Sequence, residues 1–248
     1  MRFYYAGGER LLSLLLDVGV KHVAVSLRYW RYVDIALLQQ FDSVLIEAGG
    51  SAKNKTKQLQ LCEQVYSELA DNPRIIFGEF DAGTLQERLA RIKRWKQELG
   101  ITVAPVLSPQ KFTPELFVDS KIVLIGGLHK LRPAHFISKL TPVFRELQLR
   151  NVHIHGLGIG KASYLNLPFN SISFTTWLSG TKYGVTFFWD GHILRHIRPD
   201  AGHARRRFKS FCEKHDIDFQ AFMAGDFYAT TRFSLLQWRL FEERMREE

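Results

Sequence analysis

Cysteine is nearly missing from this chain: only Cys62 and Cys212 occur in 248 residues. There is no Cys-x-x-Cys pair and no Cys/His cluster, which argues against a structural zinc site or a disulfide scaffold and points to a reducing, cytoplasmic setting. Long apolar runs are missing too. LLSLLLDVGV at 11–20 is too short and too interrupted to cross a bilayer, so a membrane is not an expected partner. The opening MRFYYAGGER has neither the apolar core nor the cleavage signature of a secretory leader, and none is expected. GLGIG at 156–160 has the spacing Gly-x-Gly-x-Gly instead of the dinucleotide fingerprint, and no cofactor or metal is implied. Acidic residues are outnumbered, 25 against 34 basic ones, and the net charge of +9 favours a polyanionic partner, nucleic acid before membrane.

Short apolar, β-branched runs are abundant. They cover 2–7, 22–27, 43–48, 74–81, 101–108, 121–128, 152–159 and 171–178, and their near-continuous apolar character suits parallel strands buried on both faces. Between them lie amphipathic helical patterns at 8–18, 55–70, 84–99 and 133–149. Strand and helix in alternation at this spacing predict a (β/α)₈ TIM barrel, with an open doubly wound sheet as the rival. Asp190-Gly191 between two apolar runs signals a type I′ β-hairpin at 183–197. The tail predicts two helices, about 200–216 and 226–246. No linker or repeat interrupts the pattern. The expectation is one domain over 1–248: the barrel to about 180, then the appended hairpin and C-terminal helices.

In such a barrel the chemistry sits at the C-terminal ends of the strands. Glu47 and Asp81 each close an apolar run, where strand direction would aim them into the mouth for proton transfer or for accepting a substrate N–H. Each could equally be a salt-bridged or capping carboxylate. Ser108, Gly126-Gly127 and His155-Gly156 fall at further strand ends; the glycines would allow a flat ligand to approach closely, or could simply be turn residues. His153 and His155 share one side of their strand and suit wall or substrate contacts better than a metal site.

At these residues the chain resembles the tRNA-guanine transglycosylase superfamily, most of all the short phage-type members and the DNA 7-deazaguanine transglycosylases. The pieces run in family order over about residues 1–199: MRFYYAGG with GVKHVAVSLRYW, VLIEAGGSA, FGEFDAG, APVLSPQ, LIGGL, HIHGLGIG and LPFNSISFTTWLSGTKYGVTFFWDG. The resemblance implies that a guanine in DNA or tRNA is exchanged for a 7-deazaguanine base, through attack of a carboxylate on C1′ of a flipped-out nucleotide. It implies Asn170 at the nucleophile position, Glu47 at the acid/base position, Asp81, Gly126, Gly127 and Gly156 around the base, and Ser173 where short members often carry a second Asp; Ser108 and His155, at neighbouring strand ends, are expected to join the base site. It also implies a bacterial or phage-infected cytoplasm. An amide is not a useful nucleophile, so two readings stay open. Glu47 has taken over the reaction, or the chain is an inactive homologue that binds nucleic acid or assists an active partner, as a homodimer or in a heteromeric pair. A phosphate-binding barrel enzyme, with its anion at GLGIGK, is a third class.

The densest basic region follows the hairpin: Arg195, Arg198, Arg205, Arg206, Arg207 and Lys209. With Lys53 and Lys55 it is the expected nucleic-acid surface, against the alternative of a solvated helix face.

Overall fold

A computed structural model describes residues 1–49, 54–108, 113–118, 120–128, 133–160, 164–178 and 183–247. It divides into two compact units, Met1–Leu12 with Lys21–Phe174, and Ser13–Val20 with Thr175–Glu248.

The first unit is a TIM-barrel-like α/β fold. Nine parallel segments, β1 (Arg2–Ala6), β2 (His22–Ser26), β3 (Ser43–Glu47), β4 (Ile75–Gly78), β5 (Val103–Ala104), β6 (Val106–Leu107), β7 (Ile122–Ile125), β8 (His153–Gly156) and β9 (Ser171–Phe174), pair in the order β5-β4-β3-β2-β1-β9-β8-β7-β6. The two ends of that order, β5 and β6, are separated by Pro105 alone. They are halves of one strand, so the sheet curls round to meet itself and the open-sheet rival is excluded. Pro105 has no N–H and breaks the ladder where it stands, yet its carbonyl still accepts from Leu124 N at 2.9 Å. The sequence run at 101–108 is therefore one barrel strand in two pieces.

Alternation of side chains fills the barrel. Tyr4, Ala6, Ala24, Leu45, Ala104 and Leu124 form one inner cluster, with Ile76, Val106, Ile122 and Leu157 packed on it. The intervening residues, such as Phe3, Val25, Ile46, Phe77, Val123, Ile154 and Ile172, are equally buried on the outer face. There α3 (Lys55–Leu69) supplies Cys62, Val65, Tyr66 and Leu69, and α4 (Leu85–Glu98) supplies Trp95. Helix α5 (Pro133–Leu149) adds Leu140, Val143, Phe144 and Leu147. Helix α4 begins at a capping box in which Thr84 and Glu87 satisfy each other's backbone N–H. Helix α1 (Leu12–Asp17) is shorter than the 8–18 expected, and the four-residue helix α2 (Ile35–Leu38) follows β2. Both cysteines are buried, and burial pushes their thiols up to about 12 for Cys62 and about 11 for Cys212.

In the second unit β10 (Thr186–Trp189) and β11 (Leu194–Ile197) form the antiparallel hairpin. Its turn is not the two-residue type that Asp190-Gly191 suggests. Trp189 pairs with Leu194, leaving four residues in the loop. Asp190 Oδ1 accepts from His192 N and Ile193 N at 2.9 and 2.8 Å, so the side chain closes the turn. The helix expected over 200–216 is a 3₁₀ stretch, Pro199–Phe208, with a non-helical break at Ala201, followed by α6 (Lys209–Lys214). Helix α7 (Phe219–Ala224), capped by Asp218 and ended by Gly225 at φ +79°, has no counterpart in the sequence expectation. Helix α8 (Phe227–Glu247) matches it closely. Phe188, Ile197, Cys212, Ile217, Phe222, Ala229 and Phe233 form this unit's core. The segment Ser13–Val20 is tied to it by an ion pair of Asp17 with Arg232 and by Arg239 Nη1 donating to Val18 O at 3.0 Å. Among the described residues no helix is long and apolar enough to cross a membrane.

Candidate functional site at the barrel mouth

Parallel strands open all their C-terminal ends on one face. Three of those ends bring a polar group together there. Glu47 closes β3, in register with Ser26 at the end of β2. Its side chain follows Leu45 to the inner side of the barrel, and its Oε1 accepts from Ser173 Oγ on β9 at 3.0 Å. Glu9, directly after the Gly7-Gly8 turn that follows β1, is 5% exposed and accepts Ser26 N–H at 2.9 Å. Gly158 N–H also leans toward Ser173 Oγ, at 3.4 Å.

A sheltered carboxylate beside a second one resists ionising. Burial, reinforced by the charge of Glu9 and opposed by the Ser173 hydrogen bond, lifts Glu47 from 4.5 to about 7. At neutral pH it is therefore shared between a form that can give a proton and a form that can take one or attack as an anion. That is the condition general acid/base and nucleophilic carboxylates need.

The other expected residues divide. Gly127 adopts φ +72°, and among the described residues a Cβ there would meet Ser108 Oγ at 3.9 Å, so Ser108 and the Gly126-Gly127 pair share one half-exposed corner. His155 is not at the mouth. It is 1% exposed inside the barrel, where Nδ1 meets Ser171 Oγ at 2.7 Å and Tyr4 lies edge-on at 5.2 Å. Burial, with His153 nearby, depresses it to about 3, so it is a neutral wall residue. Gly156 faces the outer layer: a Cβ would collide with Ile159 Cδ1 at 2.9 Å and crowd Phe169 at 3.1 Å, so close packing explains the glycine. Asp81 is exposed, three residues past the end of β4 at Gly78.

Asn170 lies at the other end of the barrel. It precedes β9, its backbone N–H and carbonyl are bonded to Ile154 and Arg2, and its Oδ1 accepts Ile154 N–H at 2.7 Å. Of the pair carried by the resemblance, only Ser173 joins Glu47.

Among the expected basic residues, Arg205 is 6% exposed and structural, with Nε donating to Thr186 Oγ1 at 3.1 Å and the remaining nitrogens facing the carbonyls of Gly184, Phe222 and Met223. Arg195 is ion-paired with Asp190, and Lys209 with Glu213. Arg198 and Arg206 are exposed; Arg207 is exposed too, its guanidinium 4.2 Å from the Phe188 ring centre. Lys55 is exposed at the start of α3, while Lys53 and Lys161 lie outside the described residues.

Sequence reasoning missed two buried carboxylates of the barrel unit. Glu9 follows two glycines in a loop, where no periodicity marks it. Glu79, 1% exposed just past β4, pairs with Arg88 through two 2.6 Å hydrogen bonds and accepts Val106 N–H at 2.9 Å. Its oxygens are thus occupied and its role is to hold strands. Among the described residues no group of three or more His, Cys, Asp or Glu is placed to hold a metal ion. No family model matches this chain, and neither does any curated protein.

Proposed function

We propose that the barrel mouth is the active site of a base-exchange enzyme, with Glu47 as the reacting carboxylate and a guanine nucleotide of DNA or tRNA as substrate. The observation that carries this is Glu47 itself, poised near neutrality at a strand end beside Glu9 and Ser173. The resemblance in segment order supplies the reaction class. Ionised Glu47 attacks C1′, the bond to N9 breaks, and the electron pair leaves with guanine, which takes up a proton. The incoming 7-deazaguanine loses its N9 proton and displaces Glu47 from the same carbon. Glu9 is the second carboxylate available to carry that proton. Ser173 steadies the attacking carboxylate. The net charge of +9 suits a polyanionic substrate.

The test is incorporation of labelled guanine, and of 7-deazaguanine bases, into DNA and guanine-containing tRNA. The parent incorporates label. Glu47→Gln loses at least about a hundredfold, since the amide can neither attack nor exchange protons. Asn170→Asp changes nothing, because that position is at the far end of the barrel. An inert parent, or a Glu47→Gln variant as fast as the parent, rejects the reaction. A second reading, a silent homologue that binds nucleic acid, is favoured by the hydroxyl of Ser173 where a second carboxylate would face Glu47; inert protein with salt-sensitive nucleic-acid binding is its signature.

A further inference from the structure

The residues directly after β2 read Leu27-Arg28-Tyr29-Trp30-Arg31-Tyr32 and form a 3₁₀ turn. The turn starts one residue past Ser26, the register partner of Glu47, so it rises from the same face of the barrel. Arg10, next to Glu9 at the end of the β1 turn, joins it: the Arg10 guanidinium lies 3.7 Å from the centre of the Tyr32 ring. Arg31 approaches the same ring at 4.7 Å, and Arg28 lies 5.7 Å from the ring of Tyr29. Tyr29 is 44% exposed although it is a large ring.

These arginines differ from several others in the chain. Arg88, Arg232 and Arg239 are spent on carboxylates or carbonyls. Arg10, Arg28 and Arg31 are exposed and, among the described residues, form no salt bridge. The neighbouring acids are committed elsewhere, Glu9 to Ser26 N–H and Asp34 to the N–H groups of Ala36 and Leu37. Three cations without carboxylates stand beside tyrosine rings, Arg10 and Arg31 also hydrogen-bonding the Tyr32 side chain, and their remaining N–H groups are available to phosphate at reduced entropic cost. Alternating guanidinium and exposed ring is also the pattern that holds single strands, phosphates on the cations and a base on the ring.

We infer that Arg10, Arg28, Tyr29, Arg31 and Tyr32 form a docking rim for single-stranded nucleic acid at the barrel mouth. Arg28 and Arg31 take backbone phosphates, and Tyr29 stacks a base next to the one presented to Glu47. The rim rests on the proposed function only in that last step; binding itself stands apart from the reaction.

The experiment is fluorescence anisotropy with a short labelled single-stranded oligonucleotide over a salt series, with base exchange measured on the same preparations. Exposed positions allow the variants to fold, which circular dichroism verifies. Arg28→Ala with Arg31→Ala weakens binding at least tenfold and lowers the slope of log affinity against log salt by about 1.4, since each phosphate that a single strand no longer has neutralised takes about 0.7 from the slope. Tyr29→Ala weakens binding about tenfold with little change of slope, and Tyr29→Phe restores it. Arg206→Ala with Arg207→Ala, an equal change of charge in the other unit, has a smaller effect. A rim pair no weaker than that control overturns the inference, as does Tyr29→Phe binding as poorly as Tyr29→Ala. Rim-dependent binding by a parent that exchanges no base supports the rim and rejects the reaction. Exchange that persists with rim-independent binding does the reverse.

Discussion

Glu47 couples function to stability in a way that has a sign. Its carboxyl sits at about 7 in the folded chain against an ordinary 4.5, so the folded state resists ionisation. Below 4.5 both states are protonated and there is no penalty. As pH rises toward 7 the unfolded state ionises first and stability falls; above 7 the penalty is complete, on the order of 3 kcal/mol. Glu47→Gln removes it. Urea denaturation should find the variant close to the parent near pH 4.5 and more stable by up to about 3 kcal/mol at pH 8. His155 has the opposite sign. Depressed to about 3, it supports the fold above pH 6.5 and withdraws that support as pH falls toward 3, as the unfolded chain takes up the proton first. Its imidazole resonances should stay flat in an NMR titration from pH 8 to pH 4; a midpoint near 6.5 would refute the buried neutral ring. Glu47 was legible in the sequence because it closes an apolar run in phase with Leu45. Asp81 reads the same way but lies beyond the end of β4. Asn170 stands just before its strand run at 171–178, so strand direction alone already puts it at the far end; likeness to a motif pulled it to the reaction end.

At the scale of elements, the strands were readable because burial on both faces leaves little but apolar residues, and α3, α4 and α5 because their apolar faces repeat at helical spacing. Elements held by a few interactions were not. The hairpin turn is closed by Asp190, through its side chain and its N–H to Ile193 O at 3.3 Å, and the 3₁₀ stretch before α6 carries a break at Ala201. The lock between β4 and β6 is another case. Glu79, Arg88 and the backbone of Val106 satisfy each other out of solvent, Arg88 Nη2 also donating to Val106 O at 2.7 Å. Removing one partner strands a buried charge. Arg88→Met should lower unfolding free energy by about 3–5 kcal/mol, while Glu79→Leu with Arg88→Met recovers much of the loss. A double-mutant cycle in urea reads this directly, and additive losses would count against the lock.

At the scale of the whole molecule, the chain does not divide where the sequence is continuous. Ser13–Val20 is read between β1 and β2 but belongs to the unit built from the last 74 residues, Thr175–Glu248. Leu15 in that segment is fully buried, and Val18 and Val20 nearly so. A fragment ending at Phe174 leaves these side chains without their own core. It should be recovered as aggregate, while the full chain stays in solution; a well-dispersed NMR spectrum from the fragment would refute that. The barrel itself carries a different kind of discontinuity. With Pro105 unable to donate, its ring of hydrogen bonds is interrupted inside one continuous strand, and Val106 N–H is held by a carboxylate instead of by a neighbouring strand. Deuterium uptake at that amide therefore times the release of Glu79: a single proton reports how often the interruption in the ring loosens.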